Sequence, residues 1–355
     1  MNDWLEKRLT KLSTFESYKK PEKIVKAIKL DSNENKVLGK SLSTNFAIQS
    51  AKNIDLREYP MEHLDLFYDK LQKYCNIDKK YLAVGNGSDQ IIDLILSIVG
   101  KNQEMTTFVP TFTYVINRCQ LYDIKVNAIF LDIKDNSLNK KKFIKTAKNS
   151  NIIYICSPNN PTGNQFDEET VKEIIDNLKN KLIILDEAYV EFGKYSMSKN
   201  IIDLENVVIL RTFSKAFGLA GARIGYLISN EKFANIFKKT IQSPYPVNSI
   251  SLSIASKMLA KSNCVMKAVE DIKRERERLF KKIVDIKSLK VYESNANFIF
   301  IQAGNKYDSI LKELKKERMI VKEFGNIGQR KGCLRYTIGT KEMNKKFSII
   351  IENIK

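Results

Sequence analysis

A single histidine, His63, occurs in this chain of 355 residues. That scarcity excludes most catalytic triads and multi-histidine metal centres, which would have to be assembled around one residue. His63 lies in a loop-like stretch, Tyr59-Pro60-Met61-Glu62-His63, without ligating neighbours at useful spacing, and reads as structural. No metal site is expected. The cysteines Cys75, Cys119, Cys156, Cys264 and Cys333 are scattered, odd in number and form no CxxC pair. This argues against a zinc site or a disulfide framework and for reduced thiols in a cytoplasm. The N-terminal stretch has acidic residues and no apolar centre, so it does not read as a signal peptide. The longest apolar run, Ile91 to Val99, is broken by Asp93, and no membrane span is expected. Low-complexity tracts, long linkers and internal repeats are also missing.

Acidic residues are in deficit: 60 Lys and Arg against 41 Asp and Glu leave a formal charge of +19. The lysines, however, spread over the whole chain, and the densest stretch, Lys273-Arg274-Glu275-Arg276-Glu277-Arg278, alternates in sign. Such alternation marks a solvated helix face. With no nucleic-acid motif beside it, no nucleic-acid partner is expected, while attraction of small phosphorylated substrates is compatible with the charge.

What is present is an alternation of strand-like and helix-like segments. Asn151 to Cys156 is a short β-branched run closed by the turn Ser157-Pro158-Asn159-Asn160-Pro161-Thr162-Gly163. Asp167 to Asn180 then places Val171, Ile174, Ile175 and Leu178 on one helical face, and Leu182 to Leu185 and Val207 to Leu210 read as buried strands. Upstream, Tyr81 to Val84 reads as a strand before the turn Gly85-Asn86-Gly87 and a helix starting at Ser88. This order predicts a mostly parallel sheet with helical crossovers. After about residue 248 the pattern becomes one long helix, Ser249 to Arg278, then strand Asn297 to Gln302, a helix over Tyr307 to Arg318 and strand Cys333 to Ile338. The expected architecture is α/β: a large domain with a mostly parallel sheet flanked by helices, plus a smaller α+β domain. Its expected parts are an N-terminal segment 1–48 packing on the small domain, a large domain 49–248 and a small domain 249–355.

Lys215 directly follows the apolar run Val207 to Leu210 and the residues Arg211-Thr212-Phe213-Ser214. A lysine at the carboxyl end of a buried strand sits where open α/β sheets bind ligands, and desolvation there favours the free amine that attacks a carbonyl. Thr212, Ser214 and Arg223 supply a phosphate site beside it, as does the helix start at Ser88 and Asp89. A Schiff-base lysine next to a phosphate site points to pyridoxal 5'-phosphate.

Six segments extend the argument in order along the chain: Asn33-Glu34-Asn35, GNGSDQ (Gly85 to Gln90), SPNNPTG (Ser157 to Gly163), LDEAYVEF (Leu185 to Phe192), RTFSKAFGLAGARIGY (Arg211 to Tyr226) and LRYTIGT (Leu334 to Thr340). Together they resemble the fold-type-I pyridoxal-phosphate aminotransferases (class I/II), specifically the histidinol-phosphate aminotransferase group, over nearly the whole chain. The resemblance implies that Lys215 carries the cofactor and shuttles the proton, and that Asp186 pairs with the pyridine nitrogen, making the ring an electron sink. Tyr189 and Asn160 match the pair at the ring 3′-oxygen, and Phe112 matches the aromatic that stacks on the ring. Ser88, Asp89, Thr212, Ser214 and Arg223 match the phosphate cradle. Tyr59 matches the tyrosine that a partner subunit contributes to it, implying a homodimer with shared active sites.

On the substrate side, the resemblance makes Arg335 the anion receptor, with Asn35 beside it and Tyr18 closing over the substrate phosphate. Asn297 lies in another family-like stretch of open role. Three departures fall here: Lys322 where the family has a substrate-binding arginine, Gln90 for a glutamate, and Lys36 for a proline. The implied reaction moves an amino group between glutamate or 2-oxoglutarate and a small phosphorylated oxo compound, foremost histidinol phosphate and imidazole-acetol phosphate. Dihydroxyacetone phosphate, giving serinol phosphate, shares the reacting ketone and the phosphate. Phospho-amino-acid decarboxylases share the cofactor residues, although the histidine- and glycine-rich N-terminal stretch frequent among them is missing here. A basic protein that kept only the fold would have no use for Lys215 and Asp186.

Overall fold

The computed structural model describes residues 3–15 and 26–354. The short strand β1 (Ile28–Leu30) precedes seven strands of one sheet: β2 (Leu82–Gly85), β3 (Glu104–Val109), β4 (Lys125–Phe130), β5 (Ile152–Cys156), β6 (Leu182–Asp186), β7 (Val207–Thr212) and β8 (Gly225–Ser229). Their spatial order is β2-β8-β7-β6-β5-β3-β4. Strands β3 to β7 pair in parallel, and β8 lies antiparallel between β7 and β2. The sheet is the mostly parallel one expected. Every residue of β5, β7 and β8 is buried, because helices cover both faces, and such strands read as unbroken apolar runs.

Strands β3 and β4 have no counterpart in the sequence reading. In β3 the apolar run is interrupted by Thr106 and Thr107, whose hydroxyls pair with Ser150 Oγ and the Tyr154 carbonyl. In β4, an edge strand, Lys125 and Phe130 are exposed. Register brings Gly85, Cys156, Asp186 and Thr212 to one edge of the sheet, where the loops carrying the site emerge.

A second sheet has the order β1-β11-β12-β10-β9, with β9 (Lys290–Val291), β10 (Phe298–Gln302), β11 (Met319–Ile327) and β12 (Arg330–Thr337). Strand β1 pairs in parallel with β11, Ile28 opposite Met319, so the N-terminal segment becomes an edge of this sheet. The helix Lys40–Asn53 runs through residue 48 and packs on the helix Ser249–Leu259, as does the helix Met61–Cys75. A boundary at 48 would therefore cut a helix.

Two sequence expectations need correction. The single helix over Ser249 to Arg278 is two helices, Ser249–Leu259 and Ser262–Ile283, separated where Lys261 leaves helical geometry at φ −112° and ψ 25°. The break lets the first helix pack on the helices Lys40–Asn53 and Met61–Cys75 while the second packs on β10 and the helix Lys341–Asn353. His63 is not in a loop but in the first turn of the helix Met61–Cys75, which begins straight after Pro60, a residue suited to helix starts. Among the described residues no helix is long and apolar enough to cross a membrane.

Candidate active site

Lys215 is partly buried just past β7, and its Nζ donates to the Ser32 carbonyl at 2.9 Å, 5.7 Å from the Tyr189 ring centre. Burial, reinforced by the Arg335 charge, lowers its pKa from 10.5 to about 8. The neutral amine is therefore accessible near physiological pH, as a nucleophile requires.

Asp186 ends β6 and is 2% exposed. Its Oδ2 accepts from Tyr154 Oη at 2.7 Å and its Oδ1 from the Ala188 amide at 3.0 Å. Burial raises its pKa to about 6, while those two donors oppose the rise. A carboxylate so placed is a prepared partner for a cation or a ring N–H. Tyr189 Oη accepts from Asn33 Nδ2 at 2.8 Å, and burial lifts its pKa above the ordinary phenol value.

The anion cradle forms where the helix Gly87–Leu94 starts. Asn86 makes no side-chain cap there, so the first amides are not occupied by a capping side chain. Arg223, in left-handed backbone geometry at φ 53°, donates from Nη2 to Asp89 Oδ2 at 2.9 Å. Thr212 Oγ1 accepts from the Ser214 amide at 3.1 Å, folding the loop after β7 under Lys215. Gly225, opposite Thr212 in β8, allows this close approach: a Cβ there would lie 2.3 Å from the Ser88 nitrogen. The Gln90 departure has a simple explanation, since its Oε1 accepts from the Asn86 amide at 2.6 Å, a task either Glu or Gln performs.

The small sheet supplies Arg335 on β12. Its Nη2 donates to the Asp31 carbonyl at 2.6 Å, its Nη1 to Asn160 Oδ1, and its guanidinium lies 5.1 Å from the Phe298 ring centre. Lys322 on β11 is the cross-strand partner of Arg335, so both cations share one face of the sheet. Burial, then the Arg335 charge, lowers the Lys322 pKa. Lys36 forms an ion pair with Glu34.

The residues brought together are thus Lys215, Tyr189, Asn160 and Arg335, with the strap Asp31–Asn35 linking Asp31 to Arg335, Ser32 to Lys215 and Asn33 to Tyr189. Phe112 caps the helix Thr113–Leu121 after the carboxyl end of β3 and stacks on Tyr114 at 5.7 Å. Asn35 does not face this pocket: its Nδ2 donates to the Ala216 carbonyl and its Oδ1 accepts from the Val37 and Leu38 amides. Its neighbour Asn33 does, bonding Tyr189 and Thr337 from a left-handed conformation at φ 55° that asparagine tolerates. Asn297 in turn donates to the Asn33 carbonyl at 2.9 Å. Tyr59 is 77% exposed and stacks on Tyr245 at the surface. Tyr18 lies outside the described residues. Asn33 and Gly225 stand within the family-like segments without an assigned role, and Tyr154 stands in none of them. A hydroxyl inside the apolar run Ile152 to Cys156, and a glycine opening the apolar run Gly225 to Ile228, were the available signals.

Fold and site together define an enzyme of the fold-type-I aminotransferase class. A solved structure of histidinol-phosphate aminotransferase from Sinorhizobium meliloti, in complex with pyridoxal-5'-phosphate, superposes with a TM-score of 0.85 at 21% identity, covering 97% of this chain and 96% of that one. A family model described as aminotransferase class I and II matches residues 25–349. The chain is 34% identical over 332 residues to histidinol-phosphate aminotransferase of Ruminiclostridium cellulolyticum, covering 92% of this chain and 91% of the relative. It is 35% identical over 297 residues to the Pyrococcus furiosus protein of the same name, covering 84% and 83%. The chain belongs to the class I and II aminotransferases.

Proposed function

We propose that this enzyme binds pyridoxal 5'-phosphate and moves an amino group between glutamate or 2-oxoglutarate and histidinol phosphate or imidazole-acetol phosphate. Support for the cofactor comes from a half-buried lysine of lowered pKa, a buried carboxylate and an uncapped helix start, the three features that an aldehyde, a pyridine nitrogen and a phosphate require. The bound cofactor supplies an electron sink for the pair left on the substrate Cα. Lys215 would hold it and, once released by the substrate amine, move the proton to and from that Cα. Asp186 would hold the proton on the ring nitrogen, and Tyr189 and Asn160 would meet the ring 3′-oxygen. Ser88, Asp89, Thr212, Ser214 and Arg223 would take the phosphate, and Phe112 would cover the ring. Arg335, with Lys322 beside it, would grip the carboxylate of glutamate and the phosphate of the acceptor in turn.

The observation carrying the substrate is identity of about a third to histidinol-phosphate aminotransferases over most of both chains. We also propose a homodimer in which Tyr59 of a second copy completes the cradle, as its exposed position permits. Five cysteines without a disulfide favour a cytoplasmic enzyme.

The test adds L-histidinol phosphate to the pyridoxal-phosphate-loaded enzyme without any oxo acid and follows the cofactor absorbance over one turnover. Rapid conversion to the aminated cofactor is expected. No conversion, with glutamate still converting the same preparation, would overturn this substrate and move it to a smaller oxo-phosphate. Lys215→Ala is expected to abolish both turnover and the absorbance band.

A further inference from the structure

Tyr154 is wholly buried in the middle of β5, in a run where every other side chain is apolar or a thiol. A buried hydroxyl without a partner costs free energy that phenylalanine would not incur. Here the hydroxyl has one, donating to Asp186 Oδ2 at 2.7 Å. The β5–β6 register sets this bond. Cys156 is the direct neighbour of Asp186, and Tyr154, two residues earlier, projects from the same face of the strand. The Thr107 hydroxyl donates to the Tyr154 carbonyl at 2.9 Å, which ties this point of β5 to β3. Burial and the facing Asp186 hold the phenol well above its ordinary pKa, so it remains a proton donor. With the Ala188 amide on Oδ1, each oxygen of the carboxylate faces one fixed donor. Such donors favour the ionised carboxylate over the acid in an environment that otherwise favours the acid.

We propose that Tyr154 is a positioning residue that keeps Asp186 ionised and aimed, so that the proton between aspartate and a cofactor ring nitrogen resides on the nitrogen. This rests on the reading above that pyridoxal phosphate binds with its ring nitrogen at Asp186. Tyr154 does not touch the cofactor and acts through the carboxylate alone. Without its hydroxyl, Oδ2 becomes more basic and draws the proton toward itself, and the ring loses positive charge.

The test compares wild type and Tyr154→Phe in the full-length protein for binding of pyridoxal phosphate and of its 1-deaza analogue, which has carbon in place of the ring nitrogen. The expected result is an affinity for pyridoxal phosphate about tenfold weaker, the size of one hydrogen bond to a charged group, with affinity for the analogue unchanged. With 15N-labelled cofactor, the ring nitrogen resonance is expected to move toward the unprotonated position in the variant. A merely structural lesion would weaken both ligands equally and leave the resonance in place, and that result would overturn the proposal. Failure of wild type itself to bind pyridoxal phosphate would instead overturn the cofactor reading. Should Tyr154→Phe not fold, the resonance and the affinity ratio in Tyr154→Leu, which is apolar, adds no donor and does not overfill the site, decide on the same criteria.

Discussion

The site has two halves built in different ways. One is the row of strand ends at the edge of the large sheet: Asp186 on β6, Thr212 and Lys215 after β7, and the helix start after β2. Parallel register sets the positions on β6 and β7, and each residue lies within a few positions of a buried stretch of strand. The other half is the strap Asp31–Asn35 with Arg335 and Lys322. These residues are about 300 positions apart in sequence and meet only because β1 joins the second sheet. The strand-end half holds its residues against buried backbone. The strap half holds them by hydrogen bonds between distant segments, with the Ser32 and Asp31 carbonyls accepting from Lys215 and Arg335. The difference suits a division of labour in which one half keeps a cofactor and the other exchanges substrates.

That division predicts that lesions in the strand-end half change cofactor affinity and that lesions in the strap change substrate kinetics. The largest effect is expected for Gly225→Ala. A Cβ 2.3 Å from the Ser88 nitrogen must displace the helix start, with a loss on the order of 3 kcal/mol in stability and more than about 100-fold in cofactor affinity. Melting curves and cofactor titration check it, and retention of cofactor by this variant would break the comparison.

Next is Asn33→Ala, which removes the bonds to Tyr189 and Thr337 and places alanine at φ 55°. A fall of about tenfold in kcat/KM is expected, about 1.4 kcal/mol, with cofactor affinity within about twofold of wild type. Steady-state kinetics beside cofactor titration separates the two.

Behind the strand ends lies a buried pair, Arg211 and Glu187 at 2.9 Å, with Glu191 nearby facing Tyr74. Burial raises the Glu191 pKa from 4.5 to about 7, and the Arg211 charge opposes the rise. A raised carboxyl favours folding in its protonated form, so this contribution is complete below about pH 4.5 and is lost as pH rises through about 7. Glu191→Gln should flatten that loss, so the variant gains on wild type by about 1 kcal/mol between pH 5 and 8. Thermal melts across that range measure it.

The smallest effect is expected for Gln90→Glu. The new carboxylate can accept from the Asn86 amide as Gln90 does, and stability should stay within about 0.5 kcal/mol. A larger change would mean that the helix start is held by something other than this bond.

Much of the strand-end half was legible because it is local. An apolar run followed by Asp186, or by Thr212 to Lys215, places its polar residue at a strand's carboxyl end by period and length alone. The strap was legible only as a motif. Asn33 and Asn35 look equivalent in sequence, two residues apart, yet the first bonds Tyr189 and the second lies under Ala216. That choice depends on a left-handed backbone at Asn33 and on a second sheet whose strands come from both ends of the chain. Strand β4 and the break at Lys261 escaped for related reasons. An edge strand has a weak apolar signature, and where a helix breaks is decided by what its two halves pack against.

By itself, then, the sequence determined most of the buried strands, the family and the strand-end positions of Lys215 and Asp186, since apolar periodicity and position relative to a strand are properties of short stretches. Only the tertiary structure decided that Tyr154 meets Asp186, that Gly225 gives way to the Ser88 amide, and that Asn33 rather than Asn35 faces Tyr189. Those contacts join residues 32 to 156 positions apart, and their close approach is set by packing.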